Sequence, residues 1–177
     1  CPLCVIDCPA ITDKIENHHI KYVDEQLRSL VSELEKVTGT NLDEEKLKEA
    51  VKLSDRAAEL WRKVIEYRRA KPCPMGVTDS SAAMFPMVAS AGTQEAVEYY
   101  ERLLDEVSGR VKEGVGALEE EKFRLLLSGI PYWHHLRMFN YLEDKYGAVF
   151  VHELYTATWG LASLNPSKPF ESLAYKT

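Results

Sequence analysis

The strongest constraint on the fold lies in residues 125–155, where two apolar runs flank an amphipathic segment. The first run breaks at Gly129, and the second ends in charge at Glu153. A short apolar run, a tight turn, a helical segment and another apolar run are typical of a strand–helix–strand unit with parallel strands. Ligands of such units bind beyond the carboxyl ends of the strands. The sequence therefore predicts a site between the loops 128–131 and 152–155.

A long helical block precedes this unit. Residues 16–38 carry apolar side chains at helical spacing and stop at Gly39, and a second helix extends from there to about Ala70. Asn41 is the expected N-cap of that second helix, with Glu44 completing a capping box. In chain order, the remaining predicted elements are a helix at 79–91 kinked at Pro86, a helix at 94–113 capped by Thr93, a strand at 122–128, a helix at 133–146, a strand at 148–153, a loop through Pro169 and a last helix that starts at Phe170.

These elements predict a helix-rich α/β fold in which a partial, parallel, Rossmann-like sheet carries a large helical insert. Residues 3–7 are a short strand candidate that Pro9 ends, so residues 1–15 would be the end strand of a first α/β lobe. Residues 16–117 would be the helical insert, and residues 118–177 the start of a second α/β lobe. The sheet is incomplete and the chain opens without an initiator Met, so we expect a fragment of a longer polypeptide or unassigned ends.

The amino-acid composition indicates which classes of binding partner and which cellular compartment to expect. The net charge is −6, and no Lys/Arg cluster is interleaved with aromatic residues, so nucleic acid is not an expected partner. No apolar run approaches the roughly 20 residues that span a bilayer, so no membrane contact is expected. Three of the four cysteines lie within the first eight residues. This crowding favours a reducing cytoplasm over a disulfide framework spread across loops.

Cys1, Cys4 and Cys8 have the spacing C-x2-C-x3-C-P, which is one cysteine short of a ferredoxin run. On a strand, Cys4 and Cys8 would share a face but lie four residues apart, so buried structural thiols are favoured over ligation by all three cysteines. Cys8 alone follows the strand candidate, where ligands gather. We therefore retain Cys8 as a candidate for a single cluster ligand.

The two predicted loops supply the other candidate site residues. Gly129, Ile130 and Pro131 form a strand-to-helix turn, and the following helix N-terminus offers N–H groups to an anion. Trp133 beside this turn could pack in the core or wall a binding pocket. At the end of the second strand, both a site role and simple loop capping remain open for His152, Glu153 and Tyr155.

An apolar cluster within residues 75–87 and two pairs of histidines each allow a structural and a functional interpretation. Methionines and a phenylalanine surround the kinked helix within residues 75–87. Such clusters are usually core, although this one could also line an apolar cavity. The adjacent pairs His18-His19 and His134-His135 cannot easily share one metal ion on a helix. We expect these histidines to be solvated or hydrogen-bonded.

Several stretches together carry a resemblance to a known family. They are VIDCP at 5–9, a helix pair running from Tyr22 through EKVTG at 35–39 to Ala50, KPCPMGVTD at 71–79, SGIPYWHHL at 128–136 and VHELYTATWG at 151–160. Their order and spacing cover nearly the whole chain. The chain resembles the alpha-type, D-component subunits of the 2-hydroxyacyl-CoA dehydratase and benzoyl-CoA reductase family.

The resemblance implies an anaerobic, oxygen-sensitive enzyme subunit that acts on an acyl-CoA thioester by one-electron radical chemistry. Its reaction would be dehydration, as in a lyase, or ring reduction, as in an oxidoreductase. The family pairs two related subunits in a heterodimer that carries iron–sulfur (4Fe–4S) clusters held by cysteines. A separate activator protein hydrolyses ATP and delivers the electron. A thioester or arene is very hard to reduce by one electron, so an iron–sulfur centre in a dry pocket suits this chemistry.

The resemblance also implies roles for individual residues. Gly129, Ile130, Pro131 and Trp133 would face the substrate, and Tyr155 would line the neighbouring strand end. His152 and Glu153 are the first candidates for a catalytic acid or base, Cys8 is the metal-ligand candidate, and residues 75–87 would close an apolar hollow over the two strand tips.

The chain departs from the family in its cysteines. The cysteines that the family has further upstream and downstream are absent, so the isolated chain is expected neither to hold a complete cluster nor to be active. Two other functions stay open beside the enzyme. One is a scaffold subunit without catalysis, and the other is a truncated Rossmann-like domain that binds an anion, against which the missing G-x-G-x-x-G turn counts.

Overall fold

The computed structural model describes residues 3–10, 13–161 and 163–176, and its architecture is a helix-rich α/β arrangement with a small parallel sheet. In chain order, the elements are α1 (Asn17–Thr38), α2 (Glu44–Tyr67), α3 (Val77–Ala83), α4 (Phe85–Ala89), α5 (Gln94–Glu113), β1 (Phe123–Leu127), a 3-10 turn (Trp133–His135), α6 (Arg137–Tyr146), β2 (Ala148–Glu153), α7 (Leu154–Thr158) and α8 (Pro169–Lys176). None of the helices in these ranges is long and apolar enough to cross a membrane.

The two long helices predicted first are confirmed, with one corrected cap. α1 ends at Gly39 as expected. α2 is capped by Asp43 and not by Asn41, because the Asp43 carboxylate accepts hydrogen bonds from the backbone N–H groups of Glu45 and Lys46, both at 3.1 Å. These are two of the N–H groups that a helix start leaves without intrahelical partners.

The apolar helix predicted at 79–91 is interrupted as Pro86 predicts, and it divides into α3 and α4. Pro86 lies in the first turn of α4, where a missing N–H costs no helical hydrogen bond. Thr93 caps α5 as predicted, since its hydroxyl accepts a hydrogen bond from the backbone N–H of Ala96 at 3.3 Å.

The main core lies between α2 and α5. Trp61 and Tyr100 are fully buried there with their ring centroids 5.8 Å apart, and the Tyr100 hydroxyl donates to the Ala83 carbonyl at 2.7 Å. Burial of each large side chain contributes roughly 1.5–3 kcal/mol. A smaller cluster of Val77, Phe139 and Phe150 joins α3 and α6 to the sheet.

The predicted strands at 122–128 and 148–153 are confirmed as β1 and β2, which pair in parallel. Phe123 lies opposite Ala148 and Leu127 opposite Glu153, with a register irregularity between Leu125 and Leu126. β2 is largely buried, whereas β1 is largely exposed. The sheet therefore has one covered strand and one open strand.

The strand predicted at 3–7 is wrong: residues 3–10 have no regular secondary structure. The segment is tied to α1, since the Asp7 backbone N–H donates to the Gln26 side chain at 2.7 Å and the Tyr22 hydroxyl donates to the Asp7 carboxylate at 3.1 Å. A strand needs a neighbouring strand, and none lies beside this segment in the described ranges. Cys1 lies outside those ranges, and the three-part division of the chain stays a prediction.

Candidate active site

The ends of β1 and β2 lie side by side, as the site prediction requires. Leu127 at the end of β1 is the register partner of Glu153 at the end of β2. Beyond them, the ring centroids of Trp133 and Tyr155 are 5.9 Å apart at an interplanar angle of 73°. The Tyr155 and Trp159 rings follow at 6.3 Å and 72°. Edge-to-face pairs of this kind fix ring orientation, so a short row of aromatic rings links the 3-10 turn to α7 and its C-cap.

The loop after β1 contains both exposed and buried residues. Gly129 has a φ of 101°, a backbone conformation that side-chain-bearing residues rarely adopt. Pro131 is buried, while Ile130 is exposed and Trp133 retains 44% of its accessible surface. The 3-10 turn then separates Gly129 from α6, so the strand-to-helix connection is longer than predicted. Anion binding at the start of α6 stays a prediction.

Glu153, the last residue of β2, belongs to a buried network of polar side chains. Glu153 and Arg68 are both fully buried and form a two-point ion pair, with Arg68 nitrogens donating to Oε1 at 2.5 Å and to Oε2 at 2.6 Å. The hydroxyls of Ser80 and Thr156 also donate to Oε2, at 2.7 and 2.9 Å. Arg68 further donates to the carbonyls of Met75 and Phe150 (not only to the carboxylate), at 3.1 and 2.7 Å.

The ion pair keeps Arg68 charged. Burial opposes that charge, but the hydrogen bonds and the charge of Glu153 outweigh it and raise the pKa of the Arg68 guanidinium. Both oxygens of Glu153 are occupied and neither reaches solvent, so the structure gives this carboxylate a role in holding the fold. A catalytic role for Glu153 stays a prediction, as it does for His152, which is half-buried one residue earlier.

The apolar hollow expected at Glu153 is filled. Arg68, Ser80 and Thr156 occupy the space around its carboxylate, and Met75 and Ala83 belong to the main core. Residues 75–87 therefore reach the strand end through Ser80, and other residues of this segment pack in the core or, like Phe85, are exposed. A cavity of about 720 Å³ lies elsewhere, between α1, the start of α2 and α8. The surface left for a ligand at the strand tips is the exposed side of Ile130, Trp133 and Tyr155.

Comparison with known proteins identifies the family of the chain. The family described as 2-hydroxyglutaryl-CoA dehydratase, D-component, matches residues 1–177. The chain belongs to this D-component family. Its relatives include the (R)-phenyllactyl-CoA dehydratase alpha subunit of Clostridium sporogenes, 33% identical over 90% of this chain and 40% of the relative.

Two further relatives extend the range of reactions. The alpha subunit of (R)-2-hydroxyglutaryl-CoA dehydratase from Acidaminococcus fermentans is 34% identical over 76% of this chain and 29% of its own length. A benzoyl-CoA reductase subunit from Thauera aromatica is 32% identical over 98% of this chain and 44% of its own length. The D-component chain thus spans less than half the length of these relatives, which are named as subunits of larger enzymes.

Cys4, Cys8 and Cys73, the cysteines within the described ranges, do not form a cluster site by themselves. Cys4 and Cys8 are exposed, whereas Cys73 is buried with its thiol donating to the Met75 carbonyl at 3.3 Å. Burial raises the pKa of the Cys73 thiol, which disfavours the thiolate that metals bind. Within residues 3–10, 13–161 and 163–176, no group of three or more His, Cys, Asp or Glu side chains could hold a metal ion. The described residues therefore do not fit a complete iron–sulfur cluster, and Cys8 as a single ligand stays a prediction.

Both histidine pairs agree with the prediction that they are hydrogen-bonded or exposed to solvent. His19 lies in the first turn of α1, where its Nδ1 accepts a hydrogen bond from the Glu16 backbone N–H at 3.1 Å and closes a capping box. His134 and His135 are exposed in the 3-10 turn.

Sequence reasoning missed Arg68 and Thr156, and it did not connect Ser80 with Glu153. One signal for Arg68 was present, because it follows Trp61 and Val64 at the helical spacing of the buried stripe of α2. A charged residue on such a stripe must have a buried partner of opposite charge. Glu153, at the end of an apolar strand, was a suitable partner.

Proposed function

We propose that the D-component chain is part of an enzyme that acts on an acyl-CoA thioester, of the 2-hydroxyacyl-CoA dehydratase or benzoyl-CoA reductase type. The observation that carries this proposal is the family match over residues 1–177. The relatives named above act on acyl-CoA compounds according to their names. The paired strand tips support a substrate-facing surface at Ile130, Trp133 and Tyr155, because ligands of parallel strands bind beyond their carboxyl ends.

The proposed chemistry is one-electron reduction of the thioester in an oxygen-sensitive, cytoplasmic heterodimer. The electron would come from a separate activator protein that hydrolyses ATP, and a related second subunit would complete the enzyme. A 4Fe–4S cluster would supply low-potential electron transfer. The described residues do not fit a complete cluster. We expect further ligands from polypeptide outside this chain, so the isolated chain would be inactive.

We also propose that the complete protein has a larger, Rossmann-like parallel sheet, and the hydrogen bonds of β2 support this. The Gly147 carbonyl accepts from the Phe123 N–H on the β1 side. Carbonyls alternate in direction along a strand, so the Phe150 carbonyl, which accepts from Arg68, points away from β1. Arg68 thus covers the outer edge of β2. Additional strands would pair with β1, which exposes Phe123 and Leu126 on its two opposite faces.

The test is an anaerobic preparation of the full-length polypeptide that contains this chain, with its partner subunit and activator. We expect a brown protein with about four irons per subunit that turns over a 2-hydroxyacyl-CoA or benzoyl-CoA. A colourless, iron-free protein that turns over neither would contradict the proposal and favour the scaffold.

A substitution tests Cys8 in the same preparation. Cys8→Ser should lower the iron content, because serine is a poor ligand for this cluster. Cys4→Ser is the matched control, since Cys4 is also exposed in the same segment, and it should leave iron unchanged. Equal iron content in wild-type protein and both variants would remove Cys8 from the ligand set.

A further inference from the structure

We propose that a buried polar network positions the aromatic pair Trp133–Tyr155 at the strand tips and thereby sets the shape of the substrate-facing surface. The network consists of Arg68, Ser80, Glu153 and Thr156. Its consequence for catalysis rests on the function proposed above, whereas its effect on the position of the rings does not.

The network is buried, and both carboxylate oxygens of Glu153 accept hydrogen bonds within it. All four side chains are 0% exposed. Oε2 of Glu153 accepts from Arg68, Ser80 and Thr156, and Oε1 accepts from Arg68. Two-point pairing of a guanidinium with a carboxylate fixes the geometry as well as the charge. The end of β2 is therefore fixed to α2 through Arg68 and to α3 through Ser80.

α2 also holds the segment that follows β2. The Trp61 indole donates to the Thr156 carbonyl at 2.9 Å, and Arg62 donates to the Gly160 carbonyl at 2.6 Å. A Cβ added at Gly160 would lie 3.1 Å from the Trp61 ring and 3.3 Å from the Ala58 carbonyl oxygen. A side chain at Gly160 would require these neighbours to move by a few tenths of an ångström, so the backbone at residue 160 lies in close contact with α2.

Tyr155 lies between two members of the network in the sequence. Glu153 and Thr156, three residues apart, both point into the interior, so the helical turn between them directs Tyr155 to another side. There the partly buried Tyr155 ring contacts the rings of Trp133 and Trp159. The position of the Tyr155 ring thus depends on the network behind it.

A purely stabilising role would not require charge at this place. Buried ion pairs add little net stability compared with apolar residues of similar volume, because desolvation offsets their attraction. The ion pair supplies directional bonds, and these bonds converge on Glu153, the last residue of β2 and the N-cap of α7. The network is therefore a positioning device, and its residues are positioning residues.

The experiment uses the full-length protein labelled with 5-fluorotryptophan and followed by fluorine NMR. The Trp133 resonance is identified by its loss in Trp133→Phe. Thr156→Val removes the hydroxyl donor at nearly constant volume, and Thr156→Ser restores a hydroxyl. We expect the Trp133 resonance to shift or broaden in Thr156→Val and to return in Thr156→Ser. We also expect KM for the acyl-CoA substrate to rise on the order of tenfold in Thr156→Val with a smaller change in kcat.

Controls separate position from stability. Thr38→Val removes a hydroxyl that bonds the Leu34 carbonyl on α1, and it should leave the Trp133 resonance unchanged. An unchanged resonance in Thr156→Val, with only a lower Tm, would overturn the proposal. If Thr156→Val does not fold, Ser80→Ala removes another donor to the same oxygen and is judged by the same criteria. A wild-type enzyme without acyl-CoA turnover would contradict the proposed function, while the fluorine signal would still decide the network.

Discussion

At the scale of single residues, an arginine on a core stripe is the most informative feature of α2. Arg68 continues the buried stripe of Trp61 and Val64, and its partner Glu153 lies 85 positions further along the chain. Local patterns could indicate that a partner exists but could not identify it. For the same reason, the sequence predicted Glu153 at the end of a strand but could not predict which side chains surround it.

We predict that Arg68→Met alone is strongly destabilising, by roughly 3–5 kcal/mol, because it leaves Glu153 as an uncompensated buried charge. Combining it with Glu153→Leu should recover much of that loss, because no charge is then buried. Denaturant unfolding of the single and double variants measures both free energies. A double variant no more stable than the single one would show that the ion pair itself stabilises the fold.

At the scale of secondary-structure elements, periodicity predicted α1, α2, α5, β1 and β2, because each repeats apolar residues over enough positions to define a buried face. It failed for α7, which is only five residues long and is held by Trp61 and Glu153 and not by its own pattern. It also failed for residues 3–7, because an apolar run becomes a strand only where another strand pairs with it. Short elements depend on tertiary contacts that a local pattern does not contain.

The cap of α2 gives a prediction at this scale. Asp43→Ala should lower Tm, because two backbone N–H groups lose their acceptor, whereas Asn41→Ala should leave Tm nearly unchanged. The backbone hydrogen bond from Lys46 is the main cause that lowers the pKa of Asp43 below its ordinary value of 3.8. The contribution of Asp43 is thus fully present above pH 3.8 and is lost as the pH falls through the lower, folded-state pKa.

Thermal unfolding of both variants at pH 7 and in acid measures this prediction. The difference in Tm between Asp43→Ala and wild-type protein should shrink in acid. Equal losses of Tm for Asp43→Ala and Asn41→Ala at pH 7 would return the cap to Asn41.

At the scale of the whole molecule, the sheet is asymmetric. Parallel sheets are normally covered on both faces, and two strands alone are marginally stable. β2 meets this requirement through α3, α6 and Arg68, whereas β1 does not, with Leu126 73% and Phe123 56% exposed on opposite faces. The relatives are more than twice as long as the part that this chain matches. We infer that further polypeptide, of the kind that these relatives have, packs against β1.

We therefore predict that Leu126→Lys, a change at a largely exposed position of this chain, destabilises the full-length protein by about 2 kcal/mol or more, because the lysine would be buried beneath added structure. Val115→Lys, at a half-exposed loop position, is the control and should be nearly neutral. Denaturant unfolding compares the two variants, and hydrogen exchange on the wild-type protein should show the Leu126 amide protected. If Leu126→Lys is neutral and the Leu126 amide exchanges rapidly, β1 remains an edge strand in the complete protein. The substrate surface would then lie on the exposed side of that edge.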